Sequence, residues 1–152
     1  ESLCWYECTV QGGRKGSGLD VVAVSRAVEA LGAGELLVNC IDCDGQVSRH
    51  IAHASPSRWR YFFISICDQN SNRCATWQNA GFELPLLAMI KAAVAIPLIA
   101  SSGAGCPDHF VEVFERTTVE AGLAASIFHH KKVAINDVKE VARKHGFQIR
   151  AD

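Results

Sequence analysis

The chain has 152 residues, 49% of them hydrophobic and 20% charged, with a formal net charge of −1. That is enough chain for one domain, or a piece of one, with a real core, and the apolar fraction and small net charge exclude disorder. They also argue against a basic nucleic-acid binder; no apolar run reaches the ~18 residues of a membrane span, and Glu1 onward does not read as a secretory signal. Seven cysteines make an odd count, which favours a reduced intracellular compartment over a secreted disulfide framework and leaves a metal site open.

Glu1–Val10 is rich in aromatic and β-branched residues and reads as a strand. Gly12–Gly18 reads as a glycine-rich turn carrying Arg14 and Lys15. Leu19–Leu31 has apolar residues at 21, 24, 28 and 31, the spacing of an amphipathic helix. Asp20 suits the start of its dipole, and Gly32-Ala33-Gly34 ends it. Leu36–Ile41 reads as a buried strand with Asp42-Cys43-Asp44-Gly45 at its end. Leu84–Ala93 is a second helix that tolerates Pro85 in its first turn. Pro97–Ser101 is a strand, Ser102–Gly105 a glycine turn, and Pro107-Asp108 opens a helix over 108–116. Ala121–Phe128 reads as another buried strand, and Asn136 as the cap of a last helix, Asp137–His145, stopped by Gly146.

Outside residues 47–78, strand and helix alternate, and the internal strands are continuous apolar runs. That pattern predicts a parallel sheet covered by helices. Three strand ends carry small or acidic residues: Asp44-Gly45, Ser101-Ser102-Gly103 and Ala125-Ser126. In α/β folds sites form at such C-terminal strand ends, and glycine- and serine-rich ends offer N–H groups to an anion. The residues alone therefore predict part of a (βα) barrel with a phosphate site.

Asn39–Gln46, Ile99–Gly105 and Leu123–His129 resemble the cyclase part of imidazole glycerol phosphate synthase, and Trp5–Arg14 and Gly32–Glu35 fit the same pattern. The cysteine-containing versions resemble the eukaryotic form, in which a glutaminase domain precedes the cyclase on one polypeptide. The resemblance implies a (βα)8 barrel of histidine biosynthesis. Such an enzyme takes ammonia from its glutaminase partner and the bis-phosphorylated nucleotide PRFAR, and releases imidazole glycerol phosphate and AICAR. Two aspartates, at the ends of the first and fifth strands, act as general acid and base. The resemblance implies that the chain begins just after the fifth strand, with both aspartates upstream of Glu1. The expected fold is thus α/β, the C-terminal part of a TIM barrel: the loop-five hairpin and about strands six to eight.

By the same resemblance, Asp44 and Gly45 lie beside one substrate phosphate. Ser101 and Gly103 close it from strand seven, and Ala125 and Ser126 from strand eight. A carboxylate repels a dianion, so Asp44 is better suited to a substrate hydroxyl or to ordering the loop. Ser102 stands where bacterial members commonly have glycine. Glu35, at the N-terminal end of strand six, falls where the family has a charged gate for ammonia. His129 and His130 read as packing or surface residues. No cofactor is implied, and no nucleic-acid or membrane partner; the compartment is intracellular, cytoplasm or plastid stroma. The isolated chain is expected to be inactive, because it would lack both aspartates and leave about four strands as an open sheet. A phosphate-binding half-barrel that assembles with itself or with an N-terminal half is the alternative from another class. The sister ribosyl-formimino isomerase of the same pathway is a further one.

Residues 47–78 do not fit. They hold four arginines, no lysine and one acid, so the block is +3 while the rest is −4. Cys40-x-x-Cys43 before His50-x-x-His53, with Cys67 and Cys74 beyond, has the look of a zinc set. Cys40 should instead point from a barrel strand, and the Cys-x-x-Cys belongs to the family-like motif. Deleting the block joins Gln46 to Asn79 and restores an unbroken loop six between two parts of one barrel, 1–46 and 79–152. Val47-Ser48 can be encoded by a splice donor and Gln78 by a splice acceptor, so the block is expected to be a translated intron of 32 codons. Lacking a partner surface, it is expected to be poorly ordered.

Overall fold

The computed structural model describes residues 6–41, 61–68 and 81–150, with 61–68 as backbone alone. The described elements run β1 (Tyr6–Val10), β2 (Lys15–Asp20), α1 (Val21–Ala30), β3 (Glu35–Cys40), β4 (Tyr61–Asp68) and α2 (Leu84–Lys91), followed by β5 (Leu98–Ser101), α3 (Pro107–Arg116), β6 (Ala121–Leu123), α4 (Ser126–His129) and α5 (Ile135–Lys144). The strands form one sheet in the order β2-β1-β4-β3-β5-β6. The half from β4 to β6 is parallel, and β1 is antiparallel to both β2 and β4.

The parallel half follows the predicted βα alternation. On β3, Leu36, Val38 and Cys40 are buried, while Glu35, Leu37 and Asn39 are only partly covered. Leu98 and Ala100 of β5 extend the buried face. Onto the same core pack Leu86, Leu87 and Ile90 from α2 and Phe110 and Val113 from α3. The sheet therefore has one dry face, the one covered by these helices. Its other face carries Leu37 opposite Ile99 and Asn39 opposite Ser101.

The N-terminal ends of the parallel strands are clamped by side chains. The Glu29 carboxylate accepts the N–H groups of Ala95 and Ile96 at 2.7 and 3.1 Å. Glu120 accepts Leu98 N–H at 2.8 Å and pairs with Lys91, whose Nζ also donates to Ile96 O at 3.3 Å. These contacts set the height of β5, and hence where its last residue, Ser101, emerges.

Several expectations are corrected. The glycine turn is confined to Gln11–Arg14, and Lys15–Asp20 pairs back on β1 as the second strand of a hairpin. Asp20 is the N-cap of α1, accepting Ala23 N–H at 3.0 Å. The Ala121–Phe128 strand stops at Leu123; Phe128 and His129 N–H then turn back onto Ala125 O, and a single helical turn buries Ile127. A short apolar run fits either geometry. Asn136 is not a cap: α5 begins at Ile135, two residues earlier than expected, and Asp137 reaches back to accept Ala134 N–H at 3.1 Å. Gly146 ends α5 as expected, at φ +86° with its N–H on Arg143 O. Within the block expected to be poorly ordered, Tyr61–Asp68 forms β4 in the middle of the sheet, which has six strands rather than about four. The rest of that block lies outside the described residues.

Candidate functional site

The polar residues of the parallel half gather at its C-terminal ends. The β3–β5 register sets Asn39 directly opposite Ser101. Ser101 Oγ donates to Asn39 Oδ1 at 3.1 Å, and Ser102 Oγ donates to the same oxygen at 2.6 Å. Both serines are only 8% exposed. One carboxamide thus holds two successive hydroxyls at the mouth of β5 and fixes the turn that follows them.

That turn is conformationally demanding. Ser102 lies at φ +77° and Gly103 at φ +93°. Both are in the left-handed region, which glycine adopts freely and serine does not. Gly103 O accepts Gly81 N–H at 3.0 Å, so the segment entering α2 is tied to the same turn. Gly105 N–H donates to His109 Nδ1 at 3.0 Å, which fixes the entry to α3.

The next strand end lies alongside. Ser101 is level with Leu123 of β6, and Ala125 and Ser126 follow two and three residues later. Gly122 permits the close approach of sheet and helix here: a Cβ on it would sit 2.9 Å from Phe110 Cδ1. Phe110 is itself set edge-on to Phe82, with ring centroids 5.3 Å apart, and stacked with Phe128 at 6.4 Å.

Ser101 and Gly103, predicted together, are together and buried, while Ala125 and Ser126 stand at the adjacent strand end. Glu35 is at the opposite end of β3 from Asn39, four residues away and on the same face. At about 3.3 Å per residue that is a separation of about 13 Å, with Leu37 between them. Asp44 and Gly45 lie outside the described residues. So do Cys43, His50, His53 and Cys74 of the zinc pattern, while Cys40 is buried on the core side of β3. Asn39 and Ser102 were not among the predicted site residues. The signal was an Asn and a Ser-Ser pair on strands that only a parallel register brings face to face.

Among the described residues, no helix is long and apolar enough to cross a membrane. Fold and site together define a parallel βα sheet with its polar residues converging at the C-terminal strand ends, as in barrel-type α/β proteins. Comparison with known proteins narrows this. A family model described as "Histidine biosynthesis protein" matches residues 78–134. The chain is 43% identical over 150 residues to the chloroplastic imidazole glycerol phosphate synthase hisHF of Arabidopsis thaliana, covering 99% of this chain and 20% of that protein. It is 42% identical to the hisHF enzyme of Schizosaccharomyces pombe, covering 99% and 22%. To the subunit HisF of Haloarcula marismortui it is 37% identical, covering 97% and 42%. The chain belongs to the cyclase family of imidazole glycerol phosphate synthase. It spans from about a fifth to about two fifths of the length of these relatives.

Proposed function

We propose that this chain supplies one phosphate-binding half of a histidine-biosynthesis cyclase that converts PRFAR and ammonia to imidazole glycerol phosphate and AICAR. The observation that carries this is the cluster at the end of β5, where Asn39 orders Ser101 and Ser102 ahead of Gly103. The hydroxyls of Ser101 and Ser102 are spent on Asn39 and hold the turn; backbone N–H groups at the two adjacent strand ends, with the Ser126 hydroxyl, then suit a phosphate dianion, whose charge they meet without a counter-charge. Ala125 and Ser126 complete the set from β6; by the family resemblance Gly45 lies beside the same phosphate, and Asp44 serves a substrate hydroxyl or orders the loop. Glu35, at the far end of the same β3 face, takes the gate role for ammonia delivered by a glutaminase domain or subunit. Turnover belongs to the longer protein: among the described residues the sheet is open, with β2 and β6 at its edges.

The site is tested by titrating the 152-residue chain with glycerol phosphate and following backbone amides by NMR. Shifts concentrated at Ser102, Gly103, Ala125 and Ser126, weakened by Asn39→Ala, are expected. Saturating shifts elsewhere, or none at millimolar ligand, would sink the assignment. The isolated chain given PRFAR and ammonium should show no turnover, and measurable product would refute that part.

The block 47–78 interrupts this unit and is read as a translated intron. In support, deleting the block joins Gln46 to Asn79 and restores an unbroken family-like loop six. Sequencing the spliced message across Gln46 and Asn79 decides it, since retention of those codons in mature message would mean a genuine insertion.

A further inference from the structure

In a closed (βα) barrel every strand is flanked on both edges by parallel strands, one from the βα unit before it and one from the unit after. β3 has β5, from the following unit, on one edge. Its other edge is taken by β4, in parallel register from Glu35 opposite Tyr61 to Cys40 opposite Ile66. β4 does not come from the preceding unit. It lies between β3 and α2 in the chain, and the 20 residues 41–60 are enough for the crossover that a parallel pair requires. The hairpin that precedes α1 is one place further out, with β1 antiparallel to β4.

The backbone of β3 divides between these neighbours. Leu36 N–H donates to Pro97 O at 2.9 Å, so it faces β5. Amides alternate sides along a strand, so Val38 faces β5 as well, while Leu37 and Asn39 face β4. Asn39, whose carboxamide holds the two site serines, is thus anchored on the β4 side.

We propose that Tyr61–Asp68 is a stand-in strand: it occupies the parallel edge of β3 that a closed barrel gives to the preceding unit, and so excludes that strand. This rests on the barrel reading above. One edge pairs with one strand, so a protein retaining 47–78 keeps the open six-stranded sheet until β4 is displaced. The segment is then a conformational block on barrel closure, whatever its origin.

Amide hydrogen exchange on the whole chain tests this, with Ile64→Pro, in mid-β4, as the variant. In the wild-type chain Leu36, Leu37, Val38 and Asn39 should all be protected. In the variant, protection at Leu37 and Asn39 should fall by about tenfold or more while Leu36 and Val38 keep theirs. Wild-type exchange that is fast at Leu37 and Asn39 alone, or protection that survives the proline, overturns the proposal. Should the variant not fold, cross-strand NOEs in the wild-type chain decide: contacts placing Val38 opposite Ile64 support it, and their absence overturns it. Deleting 47–78 should open the edge, seen as fast exchange at Leu37 and Asn39 or as concentration-dependent self-association on gel filtration. A monomeric deletion variant with both amides still protected would show that another strand fills the place, and would also overturn it. The glycerol phosphate titration is independent of these readouts, so the site and the stand-in strand can fail separately.

Discussion

Ser102 is the sharpest point at which to test how the site is built. It combines a left-handed backbone, φ +77°, with a buried hydroxyl bonded to Asn39. Ser102→Gly removes the left-handed strain, about 1–2 kcal/mol. It also gives up a hydrogen bond of about 1 kcal/mol and adds about 0.4–1 kcal/mol of unfolded-chain entropy. These nearly cancel, so the glycine variant should match wild type to within about 0.5 kcal/mol. Ser102→Ala loses the hydrogen bond and keeps the strain, so it should be about 1 kcal/mol less stable. Urea denaturation followed by far-UV circular dichroism, with slopes compared to confirm equal exposure on unfolding, reads the order directly. The expected ranking is serine equal to glycine, with alanine below both. An alanine variant as stable as the glycine variant would refute the account, because backbone strain and the Asn39 bond would then not be the two opposing effects here.

Three further outcomes follow from the packing around the site. Gly122→Ala places a Cβ 2.9 Å from Phe110 Cδ1, short of an ordinary carbon contact, against a ring held by Phe82 and Phe128; a loss of about 1–3 kcal/mol is expected in urea unfolding, and it should vanish in a Phe110→Ala background. Burial pushes the Glu120 carboxyl up, but hydrogen bonds from Lys91 and Leu98 N–H, with the charge of Lys91, outweigh it and leave the group below its usual 4.5. A folded-state value below the unfolded one adds stability that is present above the usual glutamate range and is lost as pH falls through the folded value, so the urea midpoints of wild type and Glu120→Gln should converge as the pH is taken down through and below the ordinary glutamate range. Burial first, then the carboxylates of Asp20 and Glu7, push the Cys8 thiol up to about 11, so at pH 8 mass mapping should find the half-exposed Cys106 alkylated by iodoacetamide well before Cys8.

The parallel half of the fold was legible because each of its elements carries its own local signal. Apolar spacing marks α1, proline opens α2 and α3, and glycine follows α1 and α5. Boundaries failed where two local solutions compete for the same residues. Ala121–Phe128 is apolar but for Ser126, a run that suits a buried strand and a buried helical turn equally, and it is the turn that buries Ile127. The cap of α5 was missed for a similar reason. Asn136 is a good cap residue, but the carboxylate of Asp137 bonds Ala134 N–H and starts the helix earlier. Of the site, Ser101, Gly103, Ala125 and Ser126 could be read from strand ends, because a strand end is a local feature. Asn39 could not, since its partners lie 62 and 63 residues away and meet it only through the β3–β5 register.

β4 shows the same distinction from the other side. Tyr61-Phe62-Phe63-Ile64-Ser65-Ile66 is aromatic and β-branched, which is itself a strand signal. The 32-residue block around it carries no sustained period, and a segment foreign to the barrel has no evident surface on which to fold, so the signal is easily outweighed. The surface exists. β1 and β3 each offer a backbone edge, and β4 pairs with both, antiparallel on one side and parallel on the other. An edge recognises backbone amides and carbonyls rather than a family's side chains, so any segment of strand-forming composition can take it if its linkers reach. Ancestry explains why Asn39 faces Ser101. It does not decide what lies on the far side of β3, where composition and an available edge are enough.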